Sequence, residues 1–454
     1  MQNIISKIKK NIIGTEFENR TYIVGGFVRD LLLGKESNDL DLVVELNNGG
    51  VRLANHFFQI GLSSQPVIFK NFGTAYVKID NQKIELVMTR SESYQDQNRK
   101  PQVKAASLEQ DIYRRDFTIN SLLLNVSTGE ILDITGKGKE DLQCKIIRST
   151  SESEKIFRED PLRILRAIRF SNDLKFEIEP TTKNALINNV EHLNFISAER
   201  KREEFNKMMI SEIPDKAMKK LREYGTLVYL IPEIVEIYDL KQNRYHNMDV
   251  WHHTLEVLKN TPPKLTIRIA ALLHDIAKKE CYSEDDKGIH FYKHEIIGAE
   301  IARKVLKKLV YSNEIISNVE ILIKNHLRIK QYGYFAEKVT DKTIRKLIYQ
   351  LGENLDDFLT LVHADNISHA EKFKLNEQIP CLRNKINEMN KQNPLNSLPV
   401  SGINVMKYFS INEGREVGEI LDLAKELWFE NPKLDKKMIL EKIERLTTEN
   451  TEKI

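Results

Sequence analysis

The chain has 454 residues, 41% of them hydrophobic and 30% charged, ordinary globular usage that excludes collagen, coiled-coil and wholly disordered chains. At this length a single core stops growing, so several packed units are expected. Lys+Arg (69) against Asp+Glu (66) leaves only +3; bulk charge names no partner, and any nucleic-acid surface must be local.

Cys144, Cys281 and Cys381 are far apart and share no Cys-x-x-Cys spacing, which supports neither a disulfide framework nor a zinc ribbon. Lys7, Lys9 and Lys10 interrupt the apolar residues of the N-terminus, so no signal peptide is expected. No run approaches the ~18 apolar residues of a membrane span. A soluble, cytoplasmic chain with no membrane partner is the expectation.

The first ~145 residues carry strand patterns: YIVGG (22–26), DLDLVVEL (39–46), TAYVKI (74–79) and KIELVMT (83–89), separated by helical stretches and turns such as NNGG (47–50). After ILDITGKGKEDL (131–142) the period becomes 3.6, and from 155 to 375 nearly every segment reads as amphipathic helix. NKQNPLNSLPVSG (390–402) reads as a linker before a last helical segment at 413–447. The expected class is α+β, a mixed α/β head on a helical body.

In YIVGGFVRDLLLGKESNDLDLVV a strand enters Gly25-Gly26, a helical stretch follows, and a second strand carries Asp39 and Asp41. Two apart on a strand, these carboxylates share one face, about 6 to 7 Å apart at the backbone. Their repulsion becomes attraction around a hard divalent cation such as Mg²⁺ carrying substrate phosphates. Glu85, in KIELVMT, could add a third carboxylate. Gly25 and Gly26 let backbone N–H groups approach a triphosphate, with Arg29 reaching the same anion one turn later. Taken singly, Asp-x-Asp is a turn or cap and Gly-Gly a loop; together they describe nucleotidyl transfer. GGFVRDLLLGKESNDLDLVV (25–44) resembles the signature of the class II tRNA nucleotidyltransferase and bacterial poly(A) polymerase family, in the polymerase beta superfamily. The resemblance implies a polymerase-beta-like head with Asp39, Asp41 and Glu85 as its catalytic carboxylates.

LEQDIYRRDFTINSLLLN (108–125) resembles the family motif that contacts ribose and phosphate. Arg115 can grip phosphate bidentately, and Asp116 and Asn120 can bond a 2′-hydroxyl; Asp116 could equally be a helix cap. In EDPLRILRAIRF (159–170), Asp160, Arg163, Arg166 and Arg169 lie three apart and form one helical stripe, with Leu162, Ile164, Leu165 and Ile168 opposite. The resemblance makes this segment a protein template selecting CTP and ATP. An acidic oxygen accepts from the exocyclic amine of cytosine or adenine, and a guanidinium donates to the ring acceptors. A plain helix cap, with Pro161 at the first position and a solvated arginine face, is the simpler alternative. SAERKREEFNKMM (197–209) resembles the next motif, with Glu199, Arg200, Glu204 and Lys207 as helix-organising ion pairs. The polar stretch 89–107, with Arg99, Lys100, Pro101 and Lys104, resembles the flexible loop carried by members that perform the final A addition; a structureless excursion is the alternative.

His253, His274-Asp275, His294, His326 and Asp365 fall in the order of an HD phosphohydrolase domain. Mixed imidazole and carboxylate ligands suit Mn²⁺, Fe²⁺, Ni²⁺ or Zn²⁺, and such a metal could activate water against a phosphate ester. SGINVMKYFSINEGREVG resembles the family tail, except that Glu413-Gly414-Arg415 stands where Pro-Gly-Pro is usual. The implied plan is a nucleotidyltransferase head (1–145), a helical neck binding RNA and nucleotide (146–235), an HD domain (236–390) and a tail (391–454). The implied activity is template-independent addition of C, C and A to tRNA from CTP and ATP. A poly(A) polymerase of the same family, or an HD phosphohydrolase with a nucleotide-binding head, are the alternatives.

Overall fold

A computed structural model describes residues 1–37, 39–69, 73–95, 98–243, 245–392 and 398–451. The chain divides into two compact units, Met1–Pro232 and Glu233–Ile454.

The first unit opens with α1 (Gln2–Ile12), whose Ile4, Ile8 and Ile12 are buried at helical spacing. A mixed sheet follows, built from β1 (Thr21–Val24), β2 (Leu40–Val44), β3 (Val67–Phe69), β4 (Thr74–Ile79), β5 (Gln82–Met88), β8 (Leu123–Asn125) and β9 (Ile131–Leu132) in the order β3-β4-β5-β2-β1-β8-β9. Within this sheet, among the described residues, only β2 and β5 run parallel. Their connection passes through α3 (Gly49–Gln59), as a parallel crossover requires. The β1 strand is buried along its whole length, which explains its unbroken apolar run. Between β1 and β2 lies α2 (Gly26–Leu32), so β1, the glycines, α2 and β2 form the expected order.

NNGG, expected as a turn, only begins as one: Gly49 and Gly50 are the first residues of α3. A Cβ at Gly50 would stand 2.4 Å from the Leu86 carbonyl oxygen on β5. The helix therefore packs backbone against backbone on the sheet. The segment expected as a flexible loop contains β6 (Arg90–Gln95) and β7 (Asn98–Ala105), paired antiparallel. Residues 96 and 97 and the side chains of Arg99, Lys100 and Pro101 lie outside the described set. Thr89 ties the base of this hairpin through a bond from its hydroxyl to the Ala106 carbonyl.

α4 (Leu108–Tyr113) carries a capping box of Ser107 and Gln110 and packs on the sheet with Tyr22, Val24, Val43 and Leu123. Beyond α5 (Gly138–Cys144), a small parallel pair joins β10 (Ile146–Ile147) to β11 (Glu177–Ile178). The rest of the unit is helical: α6 (Ser153–Glu159), α7 (Leu162–Leu174), α8 (Pro180–Asn188), α9 (Ala198–Met209) and α10 (Pro214–Glu223). α7 is buried nearly all round, Arg163 included, rather than presenting a solvated stripe.

The second unit centres on α12 (Leu265–Leu273), which packs against α11 (Val250–Lys259), α14 (Asn313–Asn325) and α16 (Leu355–Ile367). α13 (His294–Lys308) lies along α14. One departure from the all-helical expectation is the hairpin of β12 (Tyr282–Asp285) and β13 (Gly288–Phe291). Gly288 turns it at a φ of 110°, and its polar strand leaves little apolar alternation to read. α15 (Asp341–Leu351) and α17 (Gln378–Gln392) complete this bundle. Residues 393–397 of the expected linker lie outside the described set. The final helical segment is divided into α19 (Arg415–Glu430) and α20 (Lys436–Thr451), separated at Asn431-Pro432, where proline removes the donor that would continue the helix. With α18 (Gly402–Phe409) they enclose a separate core around Val405, Trp428 and Ile439. Among the described residues no helix is long and apolar enough to cross a membrane.

Candidate functional site

Val24 ends β1 opposite Asp41 on β2, and Asp41 stands in register with Glu85 on β5. Gly25 follows Val24 at φ 80°, and a Cβ there would lie 3.9 Å from Asp41 Oδ2. A side chain would fit beside the carboxylate but would be strained at this positive φ, so this turn favours glycine. A cavity of 560 Å³ opens here, with Gly25, Gly26, Asp39 and Asp41 on one wall. Its other walls carry Arg29, Arg115, Asp116, Asn120, Asp160, Arg163, Arg166 and Arg169. The fold thus brings together every sequence-predicted nucleotide residue. Glu85 lies outside the lining yet acts on Asp41 through its charge. The Asp41 carboxyl is pushed up to about 6, first because the cavity walls strip water from it, then by repulsion from Glu85 and Asp39, with Arg115 opposing. A carboxylate whose proton affinity is raised by two neighbouring carboxylates suits a hard divalent cation.

The basic groups are held in place by acids, of which Asp30 and Asp111 were not singled out from the sequence. Arg29 donates to both Asp30 oxygens at 2.8 and 2.9 Å and to Asn120 Oδ1 at 2.8 Å. Buried Asp111 receives Arg114 at 2.7 Å and Arg115 at 2.9 Å; burial pushes its carboxyl up, but the two guanidiniums outweigh that and leave it lowered. Asp116 accepts two bonds from Arg166 at 2.9 and 2.6 Å, and against burial this charge keeps it ionised below its ordinary value. Arg163 turns its donors onto the carbonyls of Ile156 at 3.2 Å and Arg114 at 2.6 Å. Asp160 ends α6 and accepts from the Leu162 N–H and from Arg200 at 2.9 Å.

Arg200 and Glu204, expected as helix-organising ion pairs, both reach across from α9: Arg200 to Asp160, and Glu204 to Arg169 at 2.6 Å and Arg166 at 3.7 Å. Inside α9, Lys207 pairs with Glu204. The reason is charge complementarity, since α7 presents arginines where α9 presents a buried glutamate.

In the second unit, helix ends gather the predicted ligands. His274 follows α12, His294 begins α13, His326 follows α14, and His253 and Asp365 lie within α11 and α16. Two groups form, His253 with His274 and Asp365, and Asp275 with His294 and His326, each with donor atoms within 4.8 Å of one another. The Nδ1 atoms of His274, His294 and His326 donate to the carbonyls of Ala271, Phe291 and Ile323 at 2.7 to 2.8 Å. This fixes the tautomer and leaves each Nε2 lone pair facing inward. Buried Nε2 atoms of His253 and His274 have no hydrogen-bond partner, and those of His294 and His326 face each other at 3.3 Å. Such an arrangement of buried acceptors fits a metal ion. Lys278 stands 2.7 Å from Asp275 Oδ2 and Lys330 2.8 Å from Asp365 Oδ2. Against burial, His274 and Lys278 hold Asp275 well below the carboxylate range, and Lys330 does the same for Asp365. The adjoining cavity, of 940 Å³, adds His246, His369, Tyr245 and Phe373. Sequence reasoning missed Lys278 and His369, although Lys278 is three residues after Asp275 and His369 four after Asp365, the helical spacing that shares a face.

Three family models match the chain: the poly A polymerase head domain over 21–148, the probable RNA- and SrmB-binding site of polymerase A over 175–237, and the HD domain over 245–357. The chain is 28% identical to the A-adding tRNA nucleotidyltransferase of Deinococcus radiodurans over 88% of its own length and 89% of that protein's. It is 32% identical to the Multifunctional CCA protein of Neisseria meningitidis serogroup A over 72% of this chain and 77% of the relative. The crystal structure of the Bacillus stearothermophilus CCA-adding enzyme in complex with CTP shares the fold, with a TM-score of 0.73 at 22% identity over 99% of this chain and 98% of that one.

Proposed function

From the chain's membership in the tRNA nucleotidyltransferase and poly(A) polymerase family, we propose that it adds C, C and A to the 3′ ends of tRNA, using CTP and ATP without a nucleic-acid template. The observation that carries this reading is the convergence of Asp39 and Asp41 with two sets of arginines in one cavity. Asp39 and Asp41, with Glu85 behind them, would hold Mg²⁺. Two such ions would divide the work, one lowering the pKa of the RNA 3′-hydroxyl and the other steadying the leaving pyrophosphate. Arg29 and Arg115, beside Gly25 and Gly26, receive the triphosphate, and Asp116 and Asn120 face the ribose. Asp160 accepts from the exocyclic amine of the base, and Arg163 exchanges a backbone carbonyl for the ring acceptor. Head, neck, HD domain and tail are assigned to 1–145, 146–235, 236–390 and 391–454. Cytoplasmic work follows from tRNA, CTP and ATP as substrates.

The test is incubation of tRNA ending at its discriminator base with CTP alone, ATP alone, or both. Two C residues from CTP and a final A only after them support the reading. Addition of A solely to tRNA already ending in CC would assign the narrower activity named for the Deinococcus relative; long A tails would assign a poly(A) polymerase.

The inward-facing imidazoles of the second unit favour an additional activity. His253, His274, Asp275, His294, His326 and Asp365 would hold a transition metal such as Mn²⁺, Fe²⁺, Ni²⁺ or Zn²⁺, able to activate water against a phosphate ester. Elemental analysis after chelator-free purification tests this; protein without bound metal would overturn it.

A further inference from the structure

The nucleotide cavity contains one aromatic ring, Phe170, at the end of the arginine helix segment. Three guanidiniums surround it: Cζ of Arg169 lies 4.1 Å from the ring centroid, that of Arg166 5.2 Å, and that of Arg29 5.3 Å. Arg166 and Arg169 belong to α7, but Arg29 comes from α2, behind the glycine turn. The ring is 7% exposed and meets Phe117 edge to face at 6.0 Å, which fixes its plane. Acids hold these arginines from outside, Asp30 for Arg29, Asp116 for Arg166 and Glu204 for Arg169. A hydrogen-bond chain joins the α2 arginine to α7, since Asn120 accepts from Arg29 and donates to the Asp116 that Arg166 grips. The ring lies against all three guanidiniums directly, and its quadrupole attracts each cation and offsets the repulsion between them.

We propose that Phe170 is a positioning residue that holds Arg29, at the triphosphate end, in register with the base-reading arginines of α7. This rests on the assignment of the cavity to CTP and ATP. Leucine would preserve most of the buried volume and the contact with Phe117 but supply no quadrupole. An aliphatic core role and a cation-holding role therefore separate. In the first, Phe170→Leu is benign. In the second, the arginines drift apart and the nucleotide binds more weakly.

The experiment compares full-length wild type, Phe170→Leu and Phe170→Tyr by steady-state addition to tRNA, direct CTP and ATP binding, and thermal melting. Phe170→Leu should raise KM and Kd for both nucleotides about tenfold with kcat within about twofold, as expected from losing one to two cation–π contacts. Phe170→Tyr, which keeps the ring, should restore nucleotide affinity while melting no higher than Phe170→Leu. Unchanged nucleotide affinity in Phe170→Leu, or equal losses in the leucine and tyrosine variants, would overturn the proposal. Wild type that binds neither CTP nor ATP would overturn the cavity assignment with it, so the two failures are distinguishable.

Discussion

Asp41 combines two conditions: it faces the cavity and its charge is opposed by Asp39 and Glu85. Asp41→Ala should lower nucleotide addition by about a thousandfold or more, since a metal clamp supplies several kcal/mol of transition-state stabilisation. A filter-binding assay should find tRNA affinity largely retained. Arg163→Ala should relax the choice among CTP, ATP, UTP and GTP more than it slows transfer, measured by single-nucleotide misincorporation. Glu204 gives a pH prediction. Burial pushes its carboxyl up, but Arg169, Arg166 and Lys207 outweigh this and leave it lowered. Its folded pKa lies below the unfolded value, so its stabilisation is complete above about pH 4.3 and disappears as pH falls through the folded value. Glu204→Gln should therefore cost about 3 kcal/mol near neutrality, as for a broken buried pair. The gap between the two denaturation curves should close below pH 4. Asp39, Asp41 and the glycines were legible because their geometry is local. The partnerships of Glu204 with the α7 arginines and of Phe170 with Arg29 and Phe117 were not, because each depends on which elements face each other across many intervening residues.

Among the elements, the strands with unbroken or alternating apolar residues were readable, and the hairpins β6–β7 and β12–β13 were not. Their polar residues carry little of the period-two signal on which strand assignment rests. The start of α3 was misread for another reason. Gly-Gly usually marks a turn, yet here the missing side chains allow a helix to lie against β5. Gly50→Ala tests this, because the new methyl would meet the Leu86 carbonyl, a backbone atom that cannot swing aside. It should destabilise the protein by about 3 kcal/mol, the upper range for overpacking, read as a lowered denaturation midpoint with an unchanged slope. Moving α3 also disturbs β2 and β5, which carry Asp41 and Glu85, so addition activity should fall alongside stability.

For the molecule as a whole, two units with separate cores hold two sites of different chemistry, oxygen-only carboxylates in one and imidazole with carboxylate in the other. The change from strand to helix patterns near residue 145 falls inside the first unit and does not mark this division, whereas the order of His253, His274, His294 and His326 pointed to the second centre. What the order could not reveal was its counter-charge. Chelation of the purified protein should remove transition metal and lower the melting temperature of the second unit by a metal-concentration-dependent amount. Far-UV circular dichroism should remain native. Loss of helical signal on chelation would show that folding requires the ion.

The native far-UV signal expected after chelation follows from Lys278 and Lys330, whose ammonium groups sit against Asp275 and Asp365. The bundle thus sets two ammonium groups against its buried carboxylates, and an ion bound there would compete with them for the same oxygens.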